Sequence, residues 1–185
     1  VSSVSGSGVY VASTGTATGL PVLSLLRTTV TGAADTGIQI RLDTQVGRPA
    51  LSIVGSEVTG NAGAETHGSA ARKAGGMLFY AATPSSLTFH SNRIHGNKND
   101  QVVVYSSSNW DLSGGTACGP TSNVFACYDA GWVGLSQASN GTVLAGFNSW
   151  MNEPPMGGTD FLAGAGTITI GTACSPVVSC PLPPP

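Results

Sequence analysis

The stretch that decides the fold runs from Ser86 to Ser108 and reads SLTFHSNRIHGNKNDQVVVYSSS. It contains three short apolar segments, around Leu87, Ile94 and Val102, separated by residues rich in Gly, Asn and Ser. Short apolar runs bounded by such residues are typical of β-strands joined by turns. No helical periodicity is sustained anywhere in the chain. The stretch therefore predicts a compact unit of three strands.

The same unit recurs along the chain. Gly stands two positions after an apolar anchor at Gly32, Gly60 and Gly96, and Asn follows two of these glycines, at Asn61 and Asn97. The anchors, 26 to 36 residues apart, are Val30, Val58, Ile94, Val124 and Trp150. Seven residues upstream of four of them stand Leu23, Leu51, Leu87 and Val143. A repeated three-strand unit cannot bury its apolar face alone, so the units must stack around one core.

The fold class predicted from this repeat is all-β, a parallel β-helix (β-solenoid) of about five to six coils with capping segments at both ends. An N-terminal strand or cap is expected over residues 1–22, the β-helix over 23–161, and a C-terminal strand with a disulfide and a Pro-rich tail over 162–185. We expect Asn61 and Asn97 to form a short internal ladder. The alternative, an antiparallel β-sandwich or jelly roll, does not predict a recurring anchor-x-Gly-Asn phrase.

The repeats resemble those of the right-handed parallel β-helix in the pectin-lyase-like superfamily. The resemblance lies in LSIVGSEVTGN (residues 51–61), in the stretch from Ser86 to Ser108 quoted above and in GTVLAGFNSWMNEPP (residues 141–155). The Asn148-Ser149-Trp150 element followed by two prolines is similar to one that closes such helices in secreted bacterial repeat proteins. The resemblance implies a fold and leaves the activity open, because this superfamily contains lyases, hydrolases, adhesins and structural filaments.

Composition excludes several classes of protein. Only 9% of the 185 residues are charged, and the seven Lys and Arg residues are scattered, so no nucleic-acid partner is expected. The low charge also excludes a disordered chain and a coiled coil. No apolar run approaches the roughly 20 residues of a membrane-spanning helix, so no membrane span is predicted.

The four cysteines form two local pairs, which predicts the disulfides Cys118–Cys127 and Cys174–Cys180 and an oxidising compartment. Spacing alone does not determine the connectivity, and free thiols in the core are the alternative reading. The location expected is secreted, extracellular or at the cell surface. The cysteines lack the close spacings of a zinc site, so no metal and no cofactor are predicted.

No catalytic residue is assigned. The resemblance implies paired aspartates for a hydrolase, or carboxylate-bound calcium with a basic residue for a lyase. None of the nine Asp and Glu residues forms an adjacent pair, which weighs against an enzyme and leaves the question open. Glu57 and Arg93 occupy equivalent positions and are expected to form an outward ion pair of little energy. We expect His95 to point outward.

Four aromatic residues are candidate ligand contacts, because aromatic rings stack on sugars: Tyr80, Tyr105, Trp110 and Trp132. Tyr80 and Tyr105 end equivalent strands, so a stacked pair is expected. Trp150 is expected to close the core. The insertion Ala62–Ala74 carries a concentration of charge and reads equally well as a functional loop or as a tolerated change of length.

Two functions remain open at this point. The first is a non-catalytic structural or adhesive module that assembles end to end with itself or contacts other surface proteins, because a solenoid has two open ends to protect. The second is a carbohydrate-binding or polysaccharide-degrading protein, whose partner would be a polysaccharide.

Overall fold

A computed structural model of the 185-residue chain describes residues 5–13, 22–42, 48–64, 66–67, 72–174 and 180. The described residues form strands and no helix, and therefore no helix that could span a membrane. In chain order the strands are β1 (Val9–Ser13), β2 (Val22–Leu26), β3 (Thr29–Thr31), β4 (Ile38–Leu42), β5 (Ala50–Val54), β6 (Glu57–Thr59), β7 (Thr66–His67), β8 (Arg72–Ala81), β9 (Ser86–His90), β10 (Arg93–His95), β11 (Asp100–Tyr105), β12 (Trp110–Asp111), β13 (Asn123–Ala126), β14 (Leu135–Gln137), β15 (Thr142–Leu144), β16 (Asn148–Ser149), β17 (Phe161–Ala163), β18 (Thr167–Thr169) and β19 (Ala173–Cys174).

The strands wind around three faces and confirm a parallel β-solenoid of about five turns. Face 1 contains β1, β4, β8, β11, β14 and β17; face 2 contains β2, β5, β9, β12, β15 and β18; face 3 contains β3, β6, β10, β13, β16 and β19. Neighbouring strands within each face are parallel, and the short β7 beside β8 is the one antiparallel pairing among the described strands. Strands in a sheet are about 4.8 Å apart, so five turns rise about 24 Å.

The core is a set of columns in which equivalent residues stack from coil to coil. On face 3 the column consists of Val30, Val58, Ile94 and Phe125, all inaccessible to solvent. The anchor predicted for the fourth repeat, Val124, is therefore wrong by one position. Val124 pairs with Arg93 and lies on the outward side of the strand, because side chains alternate between the two sides. Trp150 continues the column below Phe125, with ring centroids 5.2 Å apart.

Each of the first three residues of this column is followed, two positions later, by a glycine with a left-handed backbone conformation. Gly32, Gly60 and Gly96 have φ angles of 71°, 68° and 59°, a region that suits glycine because it has no Cβ. In the fourth coil Cys127 takes the equivalent place with φ 56°, and Gly96 donates its N–H to the Cys127 carbonyl.

Buried asparagines form ladders at two corners. The predicted pair is confirmed: Asn61 Nδ2 donates to Asn97 Oδ1 at 2.8 Å, and Asn97 Nδ2 donates to Gln101 Oε1 at 2.8 Å. A second ladder joins Asn92, Asn123 and Asn148 through their amides at 3.1 and 3.0 Å. Each amide has both a donor and an acceptor, so a stack of them satisfies buried backbone groups on successive coils.

All four cysteines lie in disulfides, but the predicted local pairing is wrong. Cys118 is joined to Cys174 and Cys127 to Cys180, with Cα atoms 5.3 and 5.6 Å apart. The partners are 56 and 53 residues apart in the chain. Stacking brings them together, because residues one or two coils apart are spatial neighbours. The pairing indicates an oxidising compartment.

The parallel ladder continues beyond residues 23–161 at both ends, since β1 pairs with β4 and β19 pairs with β16. Residues 1–4, 14–21, 175–179 and 181–185 of the expected caps, and residues 65 and 68–71 of the insertion, lie outside the described residues. The ladder is also interrupted once. Faces 1 and 3 each run unbroken through six strands, whereas face 2 is divided between β9 and β12 into two three-stranded sheets.

Candidate functional site

The predicted tyrosine pair is present on the outer side of face 1. Tyr80 and Tyr105 are paired in register on β8 and β11, and their ring centroids lie 5.0 Å apart. The guanidinium of Arg41, one coil earlier, lies 4.9 Å from the Tyr80 centroid. The two rings are half-buried and pack on a small apolar cluster that includes Leu78 and Val103. The result is a column of one cation and two aromatic rings on the side of the solenoid.

Trp132 and Trp110 are not part of this column. Trp132 packs against Arg72, whose guanidinium carbon lies 4.7 Å from the indole centroid. Trp110 is 1% exposed and packs against Phe79 in the core, with centroids 4.8 Å apart. Its ring is therefore inaccessible to a ligand. Trp110 is an inward residue of β12, paired with the buried Val143, and its size suits a core position.

The two buried carboxylates are each saturated by donors. Arg72 forms a bidentate pair with Asp100, and the Val133 N–H donates to Asp100 Oδ1 at 2.9 Å. This contact ties the end of the insertion to the solenoid. Asp160 accepts from Asn152 Nδ2 at 2.9 Å.

Asp160 also accepts from the Met156 N–H at 2.8 Å and from the Tyr128 hydroxyl. Burial, together with this hydrogen bond, raises the pKa of the Tyr128 phenol above its usual range. A carboxylate with three donors is held in place by them. We interpret both aspartates as structural.

The outward ion pair predicted on face 3 is confirmed. Glu57 Oε1 lies 3.7 Å from Arg93 Nε and 2.9 Å from His95 Nε2. The three side chains are partly exposed, so the ion pair contributes little to stability. Within the described part of the chain, no group of three His, Cys, Asp or Glu residues could hold a metal ion.

One feature was not predicted from the sequence: the gap in face 2 between β9 and β12. Its sequence signal is the long segment around Cys118 that separates β12 from β13.

Comparisons with known proteins found no match to a protein family, to a curated protein or to a solved structure.

Proposed function

We propose that this chain is a non-catalytic structural module, secreted or displayed at a cell surface, that assembles end to end with copies of itself. The observation that carries the proposal is the exposure of core side chains at the two ends of the solenoid. Apolar side chains that are inaccessible in the inner coils remain partly exposed in the first and last coils.

The first coil offers an apolar surface and three strand edges. Val11 and Leu25 are partly exposed, whereas their partners one coil later, Ile40 and Ile53, are 1% and 0% exposed. Among the described residues, β1, β2 and β3 each pair with a strand on one side only. An open edge of this kind favours pairing with another chain.

The last coil offers the matching surface. Phe161, Ile168 and Ile170 are partly exposed beside the core, and β17, β18 and β19 have no following strand in the part of the chain that the structure describes. Cys180 is bonded to Cys127, at the end of β13, and so lies two coils before the last one. The disulfide therefore holds that residue at the side of the stack.

A second copy fits these ends because both belong to the same three faces. The first coil of one molecule follows the last coil of another in the order in which coils already follow each other, with parallel strands. Such a head-to-tail contact uses different surfaces on the two molecules and need not close, so repeated contacts produce a filament.

The test uses one variant for each end. Leu25→Lys places a charge on the first coil and Ile168→Lys on the last, while Leu144→Lys, at an exposed position on the side of face 2, is the matched control. Sedimentation and electron microscopy should show filaments for the natural chain and the control, and monomers for each end variant.

Mixing the two end variants separates this contact from other kinds of association. The mixture retains one intact first coil and one intact last coil, so it should form heterodimers and stop there. A natural chain that stays monomeric at millimolar concentration, or filaments that are unchanged in both end variants, would contradict the proposal.

Membership of the pectin-lyase-like superfamily and an adhesive role are parts of the same proposal. The solenoid fold, the disulfides and the saturation of Asp100 and Asp160 by donors support a secreted, non-catalytic member. In its adhesive role the chain would contact other surface proteins through the same two ends of the solenoid.

Carbohydrate binding is the second candidate function, favoured by the column of Arg41, Tyr80 and Tyr105. Aromatic rings on a rigid face are suited to stack on sugars. A glycan array should then give a signal that Tyr105→Ala abolishes, while Tyr10→Ala, on the first strand of the same face, retains it. A glycan array without signal would contradict carbohydrate binding. Polysaccharides that are not cleaved, with or without calcium, would contradict a polysaccharide-degrading activity.

A further inference from the structure

A long loop at one corner of the fourth coil is bonded to the last coil. At the corner between faces 2 and 3 the chain turns within two or three residues in the other coils, for example at residues 91–92 and 145–147. In the fourth coil this corner comprises residues 112–122, between β12 and β13, which we call the corner loop. Cys118 lies in the corner loop and is exposed, and its disulfide partner Cys174 ends β19.

The corner loop contacts the third, fifth and last coils. The Ser91 N–H of the third coil donates to the Thr121 carbonyl at 2.8 Å, and the Gly114 N–H donates to the Gly146 carbonyl of the fifth coil at 2.9 Å. The disulfide joins the loop to the last coil, with Cα atoms 5.3 Å apart. The loop therefore passes beside the fifth coil and holds the last coil from the side of the stack.

The last coil is the end of the solenoid with the shorter ladders. In the first coil β1 and β2 each pair over five residues with the second coil, and β3 pairs over three. In the last coil β17 and β18 pair over three residues each, and β19 pairs over two, Ala173 and Cys174. All four cysteines lie at residue 118 or later, so the first coil has no disulfide. The Cys118–Cys174 bond thus supports the end that hydrogen bonds hold less firmly.

β19 is also the strand edge that end-to-end assembly uses on face 3. In a joint between two copies, β3 of the following copy pairs with β19, as β6 pairs with β3 within one chain. A terminal strand with a short ladder opens at little cost in free energy, and an open β19 offers no edge to a second copy. The bond that holds β19 in place therefore affects the joint directly.

We propose that the Cys118–Cys174 disulfide controls end-to-end assembly, because the oxidised chain alone has a last coil that can receive the first coil of another copy. This inference rests on the proposed end-to-end assembly and adds its regulation. A reduced chain keeps its first coil, so it can join the last coil of an oxidised copy. It cannot receive a further copy, and it therefore ends the filament. Assembly is in this way restricted to a compartment in which thiols are kept oxidised.

The chemistry of this control is thiol–disulfide exchange with a dithiol reductant. A thiolate of the reductant attacks the sulfur of Cys118, because Cys118 is exposed and Cys174 is buried. The bond to Cys174 breaks as the new S–S bond forms, and Cys174 leaves as a thiolate that takes up a proton. The second thiol of the reductant then displaces Cys118, so two electrons and two protons pass to the protein and the reductant becomes a cyclic disulfide. A small-molecule disulfide reverses the reaction by accepting two electrons from the two thiols.

The test compares two variants that each lack one disulfide. Cys118→Ser with Cys174→Ser removes the bond to the last coil, and Cys127→Gly with Cys180→Ser is the matched control, because the two bonds have similar sequence separations of 56 and 53 residues. Glycine suits the left-handed backbone at position 127. Sedimentation should show that the serine variant needs a protein concentration about tenfold higher or more to form filaments, whereas the control variant assembles like the natural chain.

Reduction and mixing test the same bond in two further ways. Dithiothreitol should dissolve filaments of the control variant, whose single disulfide is Cys118–Cys174, and reoxidation with glutathione disulfide should restore them. This experiment keeps the test valid if the serine variant does not fold. A small fraction of the serine variant, mixed with the natural chain, should shorten the filaments seen by electron microscopy, because each of its molecules ends one filament.

Amide hydrogen exchange measures the state of the last coil without assembly, in chains kept monomeric by Leu25→Lys. The Phe147 N–H donates to the Thr172 carbonyl, beside β19, and should exchange about tenfold faster or more when the Cys118–Cys174 bond is removed. The Arg93 N–H donates to the Ser56 carbonyl between the second and third coils and should exchange at an unchanged rate.

Three outcomes would overturn the proposal: filaments of the serine variant at the same protein concentration as the natural chain, an equal loss of assembly in the control variant, or unchanged exchange at Phe147. The first two leave the end-to-end contact standing, because the natural chain still assembles. An oxidised natural chain that forms no filaments would instead overturn both proposals.

Discussion

The ladder of Asn92, Asn123 and Asn148 permits a quantitative prediction for Asn92→Ala. Asn92 Oδ1 accepts from the Ser56 N–H at 3.0 Å, and its Nδ2 donates to the Ile53 carbonyl at 2.8 Å. Alanine removes both partners from fully buried positions. An unsatisfied buried polar group costs about 1–3 kcal/mol, so the free energy of unfolding should fall by about 2–6 kcal/mol.

Urea unfolding followed by circular dichroism measures this loss. With a slope of about 1–3 kcal/mol per molar urea, the midpoint should move down by about 2 M. The matched control is Asn140→Ala at an exposed turn, where the expected change is within about 0.5 kcal/mol. Asn92→Asp should destabilise at least as much as alanine, because a carboxylate cannot donate to the Ile53 carbonyl.

A loss below about 1 kcal/mol for Asn92→Ala would contradict this prediction, because the buried Ser56 N–H would then have found another acceptor. Equal losses for Asn92 and Asn140 would also refute it, since the ladder would then contribute no more than an exposed turn.

Three further predictions follow from single contacts. Arg72→Met leaves Asp100 buried without its ion pair and should cost about 3–5 kcal/mol in thermal or urea unfolding, part of which the double variant with Asp100→Asn should recover. The pKa of Tyr128 is raised in the folded protein, so this residue stabilises the fold below about pH 10, and that stabilisation is lost as the pH rises further. One of the four tyrosines should therefore ionise only when the protein unfolds. This ionisation is measured as a step in ultraviolet absorbance, which Tyr128→Phe should remove. Under reducing conditions Cys127→Gly should be more stable than Cys127→Ala by about 1 kcal/mol, because this residue has a left-handed backbone; equal stability would contradict that reading of the turn.

The repeat by itself determined the architecture. Anchors such as Ile94 and turns such as Gly96 depend on residues close in sequence, so their pattern was sufficient to predict stacked coils. It also predicted contacts between equivalent positions, such as the stacking of Tyr80 on Tyr105 and the pairing of Asn61 with Asn97, because residues at the same place in a repeat become neighbours.

Only the tertiary structure decided the features that depend on how coils of unequal length stack. It placed Phe125 in the core instead of Val124, paired Cys118 with Cys174, buried Trp110 and opened the gap between β9 and β12. Each of these depends on where the extra residues of the fourth repeat leave the stack. These residues add to the spacing in the sequence, but they lie outside the hydrogen-bonded register of neighbouring coils. The register determines which side chains are in contact.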